Sequence, residues 1–318
     1  MRPERELIEG IRKLALSSRN KAVVCGIGDD CAILRPKPSF DLLTTTDFCI
    51  ENVHFRREWH PPESVGHRCL ARGLSDIAAM GGEPLACFLS LGLPASLPQR
   101  WADRFLRGLE ALARRFNVQL AGGDTSAARD ITADIVVLGQ VPAGKALLRS
   151  GARSGDRIFV SGDLGGSATT LQRLYAGERI RPSRSNRHFY PEARIALGRW
   201  LREHSLATAT IDLSDGVSVD LGHICQESRV AAIIDSAKIP TAKGATLELA
   251  LHGGEDYELL FTAPPKKKVP ARIAGAKVTE IGVIKNYSHY TPAIQILSEN
   301  GRLQPLEPRG WQHFSKLR

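Results

Sequence analysis

The sequence predicts an α+β protein of two α/β domains, each a mixed sheet with helices packed on one face. Three observations carry that expectation. A chain of 318 residues exceeds what one hydrophobic core usually organises. Strand-like and helix-like segments intermix in both halves, as in sheets with helices laid against them. The pattern also stops at Pro142-Ala143-Gly144-Lys145 and a polar run to Gly155, then restarts, which sets the domains at residues 1–143 and 144–318.

The elements follow in order. The N-terminal stretch reads as an amphipathic helix with Leu7, Ile8, Ile11 and Leu14 on one face. Residues 23–34 (VVCGIGDDCAIL) read as strand, tight turn and strand threading a core, with Asp29 and Asp30 in the turn. DLLTTT (41–46) is a strand entering an acidic turn at Asp47, with an extended piece from Phe48 to Phe55 beyond it. Helical spacing from Val65 to Met80 ends at Gly81-Gly82. A buried strand at 86–93 precedes a helix opened by Pro98 and closed by Asn117. Residues 118–121 form a short strand ending at Gly122-Gly123-Asp124-Thr125, and the alternation of Ile131, Ala133, Ile135 and Val137 gives another. In the second half, strands are predicted at 158–160, 208–213, 230–235 and 257–262, helices through Leu171 and Leu174 and over 192–204 and 217–228, and a hairpin turn at Asn300-Gly301.

Composition excludes several classes. No run approaches 18 uninterrupted apolar residues, so no membrane-spanning helix is expected. The N-terminus lacks a secretory apolar region and carries three glutamates, which points to the cytoplasm. Six cysteines lie scattered among apolar neighbours without a C-x-x-C spacing and read as small buried hydrophobes. The net charge of +9 raises a nucleic-acid reading, but the basic residues form only short clusters without aromatic interleaving, so no nucleic-acid partner is expected.

Chemistry is carried by acids. Short acidic motifs recur at Gly28-Asp29-Asp30, Thr45-Thr46-Asp47, Leu74-Ser75-Asp76, Gly123-Asp124-Thr125, Asp212-Leu213-Ser214-Asp215 and Gly253-Gly254-Glu255-Asp256. Arg and Lys could satisfy them; hard cations fit at least as well. Carboxylates joined by Thr and Ser oxygens, with no Cys/His cluster, point to Mg2+ and so to phosphate chemistry. No G-x-x-x-x-G-K-[ST] loop and no protein-kinase signature occurs. Gly162-Asp163-Leu164-Gly165-Gly166-Ser167 looks like a phosphate loop only superficially and reads as a turn before a helix.

The blocks GIGDDCAIL, TTTDFCIENVHF, LSDIAAMGGEP, AGGDTS, LLRSGARSGD, IDLSDG, LHGGEDYELLF and GWQHF occur in the order found in thiamine-monophosphate kinases, and this resemblance covers nearly the whole chain. It implies two α/β domains, a homodimer formed by the N-terminal sheets, and ATP with several Mg2+ ions in an inter-domain cleft. The implied metal set is Asp30, Thr45, Thr46, Asp47, Asp76, Asp124, Asp212 and Asp215. Gly123, Asp124, Arg149 and Ser214 would touch ATP, while His54, Glu255 and Trp311 would contact thiamine monophosphate. Asp47, Asp76 and Arg149 would carry the transfer to give thiamine diphosphate. One departure stands out: Gly73 occupies a position where these kinases commonly have Asn.

Two alternatives stay open on the sequence. One is another ATP-using synthetase of the same superfamily acting on a different acceptor, although the cysteine-bearing tail of hydrogenase-maturation relatives and the reactive loop of selenophosphate synthetases find no match. The other is a basic nucleic-acid binder, which predicts salt-sensitive binding without ATP turnover.

Overall fold

The computed structural model describes residues 4–15, 20–25, 27, 33–183, 185–288 and 293–310. Helix α1 (Glu4–Ala15) is the amphipathic N-terminal element, with Ile11 and Ala15 buried. β1 (Val23–Cys25) and β2 (Ile33–Leu34) pair antiparallel. They meet a core on one face only: Val23 and Leu34 pack against buried Leu85, Ala86 and Ala121, while Val24 and Ile33 are 51% and 53% exposed.

The first sheet has the order β3 (Phe40–Ile50), β6 (Thr132–Pro142), β4 (Glu83–Leu93) and β5 (Gln119–Ala127). β4 and β5 run parallel because helix α3 (Gln99–Arg115) crosses over between them. Helix α2 (Pro62–Ala79) lies with α3 on the inner face and is buried almost all round. Pairing between β3 and β6 is continuous from Phe40–Pro142 to Ile50–Thr132. That ladder corrects two expectations. Asp47 is not in a turn; it sits mid-strand opposite Ile135. Nor does the chain stay extended to Phe55: it turns after Ile50, with Asn52 at φ +65° and a bridge from Glu51 to Phe55. Likewise Gly123 and Asp124 lie inside β5, opposite Leu89 and Ser90, rather than at a strand end.

The second sheet runs β14 (Leu303–Pro305), β13 (Ile294–Leu297), β9 (Val230–Asp235), β12 (Ala276–Asn286), β7 (Arg157–Ser161), β10 (Leu259–Ala263) and β8 (Ala209–Asp212), with β11 (Arg272–Ile273) beside β12. The two-residue period divides its side chains between two cores. Phe159, Leu259 and Phe261 enter a core shared with α2, α3 and α5 (Ile195–Glu203). Ile158, Val160 and Leu260 enter a second core closed by α6 (Val217–Ser228) and α7 (Leu247–His252). Helix α4 (Gly166–Tyr175) follows the glycine turn after β7. The shared core holds α2 between the two sheets, so one helix can present side chains to acids from both.

Candidate functional site

The period of β3 decides which predicted ligands meet. Thr45, Asp47 and Cys49 face α2, whereas Thr46 and Phe48 face the outer side of the sheet. On the inner side, Thr45 Oγ1 donates to the Asp76 carboxylate, and Asp76 lies close enough to Asp47 for a hydrogen bond between them. One residue earlier on α2, Ser75 Oγ donates to Asp212 Oδ2 at 2.7 Å, reaching the C-terminal end of β8. Thr45, Asp47, Asp76 and Asp212 therefore form one cluster drawn from both sheets.

Its electrostatics are strained. Burial pushes Asp47 up to about 6 against the pull of Arg72, with Asp76 and Asp134 adding repulsion. Burial and the neighbouring Asp76 push Asp212 up to about 7, opposed by the Ser75 hydrogen bond. Asp76 is raised by burial in spite of Thr45 and the exposed Arg149, whose charge favours both Asp76 and Asp212 in ionised form. Asp220 in the first turn of α6 is driven up to about 8 by burial and then by Asp212 and Asp215, while accepting the backbone N–H groups of Asp215 and Gly216 at 3.1 and 3.0 Å. Among the described residues, no three His, Cys, Asp or Glu groups are gathered tightly enough to hold a metal as they stand. The donor set nevertheless suits a hard divalent cation: every donor is oxygen, and the carboxylates repel one another in a buried place where positive charge relieves them.

Other predicted ligands lie elsewhere. Thr46 Oγ1 donates to Asp134 Oδ1 at 2.7 Å on the outer face, where the register aligns Phe48, Asp134, Ser90 and Asp124 in one row. Asp124 is exposed and caps the N–H of Thr125 at 2.8 Å. Gly123 is required beside it, since at φ +152° a Cβ would fall 1.9 Å from the Leu89 carbonyl oxygen. Ser214 and Asp215 occupy the turn into α6, and the Ser214 carbonyl accepts the N–H of Glu255 at 2.7 Å. Asp30 and Trp311 lie outside the described residues.

His54 and Glu255 are brought together by a residue that the sequence reading did not select. The guanidinium of Arg68, fully buried, grips both Glu255 oxygens at 2.8 and 2.7 Å and donates to the carbonyls of His54, at 3.0 Å, and His188. The His54 ring is oriented by the Ile50 N–H, which donates to Nδ1 at 3.0 Å. Glu255 takes a left-handed φ of +65°; burial would raise its carboxyl, but Arg68 and Arg72 hold it down at about 2. Charged residues at four-residue spacing within the apolar helix α2 were the available signal for Arg68 and Arg72.

With that geometry in view, the chain's relatives can be placed. Residues 28–141 match the AIR synthase related protein, N-terminal domain. The thiamine-monophosphate kinase of Escherichia coli (strain K12) is 36% identical over 312 residues, 92% of this chain and 93% of the relative. The chain belongs to the thiamine-monophosphate kinase family. Among solved structures, the kinase from Stenotrophomonas maltophilia K279a superposes with a TM-score of 0.81 at 33% identity, covering 92% of this chain and 96% of that one. AaThiL complexed with AMPPCP and TMP gives 0.77 at 33%, covering 99% of both chains. In this member of the thiamine-monophosphate kinases, Gly73 proves to be a packing choice: a Cβ there would sit 2.6 Å from Val137 Cγ2 and 3.5 Å from Thr45 Cγ2.

Proposed function

We propose that the acid-lined cleft transfers the terminal phosphoryl group of ATP to thiamine monophosphate, giving ADP and thiamine diphosphate. The observation that carries this is the Thr45–Asp47–Asp76–Asp212 cluster, set within one helix of Glu255, in a chain of this family. The acceptor is a phosphate monoester with a second pKa near ~6, already mostly dianionic at neutral pH, so the reaction needs no general base. The obstacle is repulsion. Unit like charges ~4 Å apart cost about 4 kcal/mol at an effective dielectric of ~20, so two dianions face about 16 kcal/mol before compensation.

Asp47, Asp76, Asp212 and Thr45, joined by Asp30 and Asp215, would hold Mg2+, which would supply positive charge against that repulsion. Arg149 adds positive charge on the ATP side, with Gly123 and Ser214 lining it; Asp124 would reach the nucleotide only from the other side of the sheet. Thr46, on the outer face and bonded to Asp134, stands apart from this cluster. His54, Glu255 and Trp311 take the thiamine part. Residues 1–143 and 144–318 act as two domains that close this cleft, and the enzyme works in the cytoplasm; among the described residues no helix is long and apolar enough to cross a membrane. The outer face of the first sheet leaves Leu42 and Phe48 at 50% and 56% exposure, which supports a homodimer through that face. A monomer mass by sedimentation at micromolar concentration would remove the dimer. A coupled assay for thiamine diphosphate tests the reaction itself: magnesium-dependent product from ATP and thiamine monophosphate is expected, and ATP turnover only with some other acceptor would overturn it.

A further inference from the structure

We infer that Arg72 is a substrate-binding residue of this chain whose guanidinium takes the phosphate of thiamine monophosphate. The inference rests on the kinase reading and adds a group which that reading does not contain.

Arg68 and Arg72 stand one turn apart on α2 and are held in different ways. Arg68 commits both terminal nitrogens, Nη1 to the His188 carbonyl and Nη2 to Glu255 and the His54 carbonyl, through contacts that include 2.7, 2.8 and 3.0 Å. Arg72 reaches Glu255 Oε1 at 3.3 Å and Asp47 Oδ1 at 3.5 Å, both at or beyond the long end of the hydrogen-bond range. Its Nε, like that of Arg68, is buried and has no hydrogen-bond partner among the described residues, so the two differ in how their terminal nitrogens are held. Its side chain keeps 16% exposure against 2% for Arg68. A guanidinium carries five N–H donors in a planar fork, and the terminal donors of Arg72, held only at 3.3 and 3.5 Å, are free to turn to a ligand where those of Arg68 are not.

Its place matters as much as its spare donors. Asp47 belongs to the acid cluster and Glu255 to the acceptor side, and Arg72 lies between them. An acceptor phosphate meeting a phosphoryl group held at the cluster must pass this point. The fork of a guanidinium matches two phosphate oxygens, as an ammonium does not. Glu255 can release Arg72 without becoming an unpaired buried charge, because Arg68 still holds both of its oxygens. Gly73 assists, since its bare Cα lets α2 settle onto β3 and β6 and brings Arg72 within reach of Asp47.

The test compares two ligands that differ by the phosphate alone. Calorimetric affinities of thiamine monophosphate and thiamine are measured on the full-length wild type, Arg72→Ala and Arg72→Lys. Arg72→Ala is expected to bind thiamine monophosphate at least about 10-fold more weakly, with thiamine affinity and the KM for ATP unchanged and Arg72→Lys intermediate. Equal weakening of both ligands would mean that Arg72 only positions Glu255, and would overturn the assignment; so would unchanged affinity for thiamine monophosphate. Should Arg72→Ala lose its fold by circular dichroism, Arg72→Gln, which keeps length and polarity but drops the charge, decides by the same pair of affinities. A wild type that binds neither ligand overturns the kinase reading itself, and this inference with it.

Discussion

The N-terminus of α4 and the inner face of β3 both hold buried carboxylate, yet their hydrogen bonding ends in opposite states. At α4 the Asp256 carboxylate accepts the N–H of Gly165 at 2.7 Å and further backbone N–H groups of Ser167 and Gly166. The helix end is filled from within the chain, so the Gly162–Ser167 turn offers no seat for a phosphate. At β3, Asp47, Asp76 and Asp212 lean on a few hydroxyls and one loosely held arginine, and their mutual repulsion is left standing. Sequence shows polar groups of similar type in both places. What separates a cap from a site is whether those groups are already satisfied.

The sharpest way to break this comparison is to neutralise the cluster. Asp47→Asn and Asp76→Asn keep shape while removing one charge each. Turnover is expected to fall by on the order of 10²-fold or more, with the fold intact and the metal-free melting temperature equal or higher. Raised magnesium should partly restore the variants. A depressed melting point with a wild-type magnesium response would show that these acids are structural after all.

Asp256→Ala should do the reverse. It leaves backbone amides at the start of α4 buried without an acceptor, a cost of about 1–3 kcal/mol. That corresponds to a fall of several degrees in melting temperature, while the KM for ATP stays unchanged. A large rise in that KM at unchanged stability would return the glycine turn to the list of nucleotide contacts.

How much of this was legible in the sequence follows from what each feature depends on. Sequence pattern placed α3, α6 and β9 almost to the residue, because the two helices bury one regular face and β9 is a short apolar run buried on both. It misread Asp47 as a turn and Gly123-Asp124 as a strand end, because polar residues inside a strand look like its end until the partner strand is known. The cluster acids could be named from the ordered blocks. That Thr46 and Asp124 face the other side of the sheet from Asp47 depended on register, and the linkage of His54 to Glu255 through Arg68 depended on tertiary approach. Arg68 and Arg72 were visible as charges within an apolar helix, but nothing local says which acid a buried arginine meets.

Acidity gives a smaller and more continuous test of the burial that both places share. Asp212, Asp220 and Asp256 are raised to about 7, 8 and 7, and Asp47 to about 6, all with burial as the first cause. Below those values the folded protein binds protons that the unfolded chain, with carboxyls near 3.8, does not. Metal-free stability should therefore rise as pH falls from 8.5 to 6.5. Below that window the buried His60 and His188, pushed down to about 2 and 3 chiefly by burial, stay neutral in the fold and oppose the gain. Magnesium should flatten the slope by stabilising the ionised cluster at high pH. A metal-free melting temperature that climbs from 6.5 to 8.5 would contradict the strained cluster.

The smallest expected effect isolates a single hydrogen bond. Ser75 is fully buried on α2, and its hydroxyl holds Asp212 at 2.7 Å, so Ser75→Ala removes the one neutral donor seen on that carboxylate among the described residues. The loss should cost about 1 kcal/mol of stability, since Asp212 then keeps company only with other acids and the distant charge of Arg149. Asp212 should titrate higher than about 7, moving the upper end of the metal-free stability slope to higher pH. Activity should drop less than about 10-fold at saturating magnesium, because the alanine removes no charge from the cluster, and the magnesium requirement should rise as the carboxylate becomes harder to ionise. If Ser75 only fills space between α2 and β8, the melting temperature falls but neither the pH slope nor the magnesium requirement moves. Measuring all three on one variant therefore separates a hydroxyl that sets the charge state of Asp212 from one that merely packs beside it.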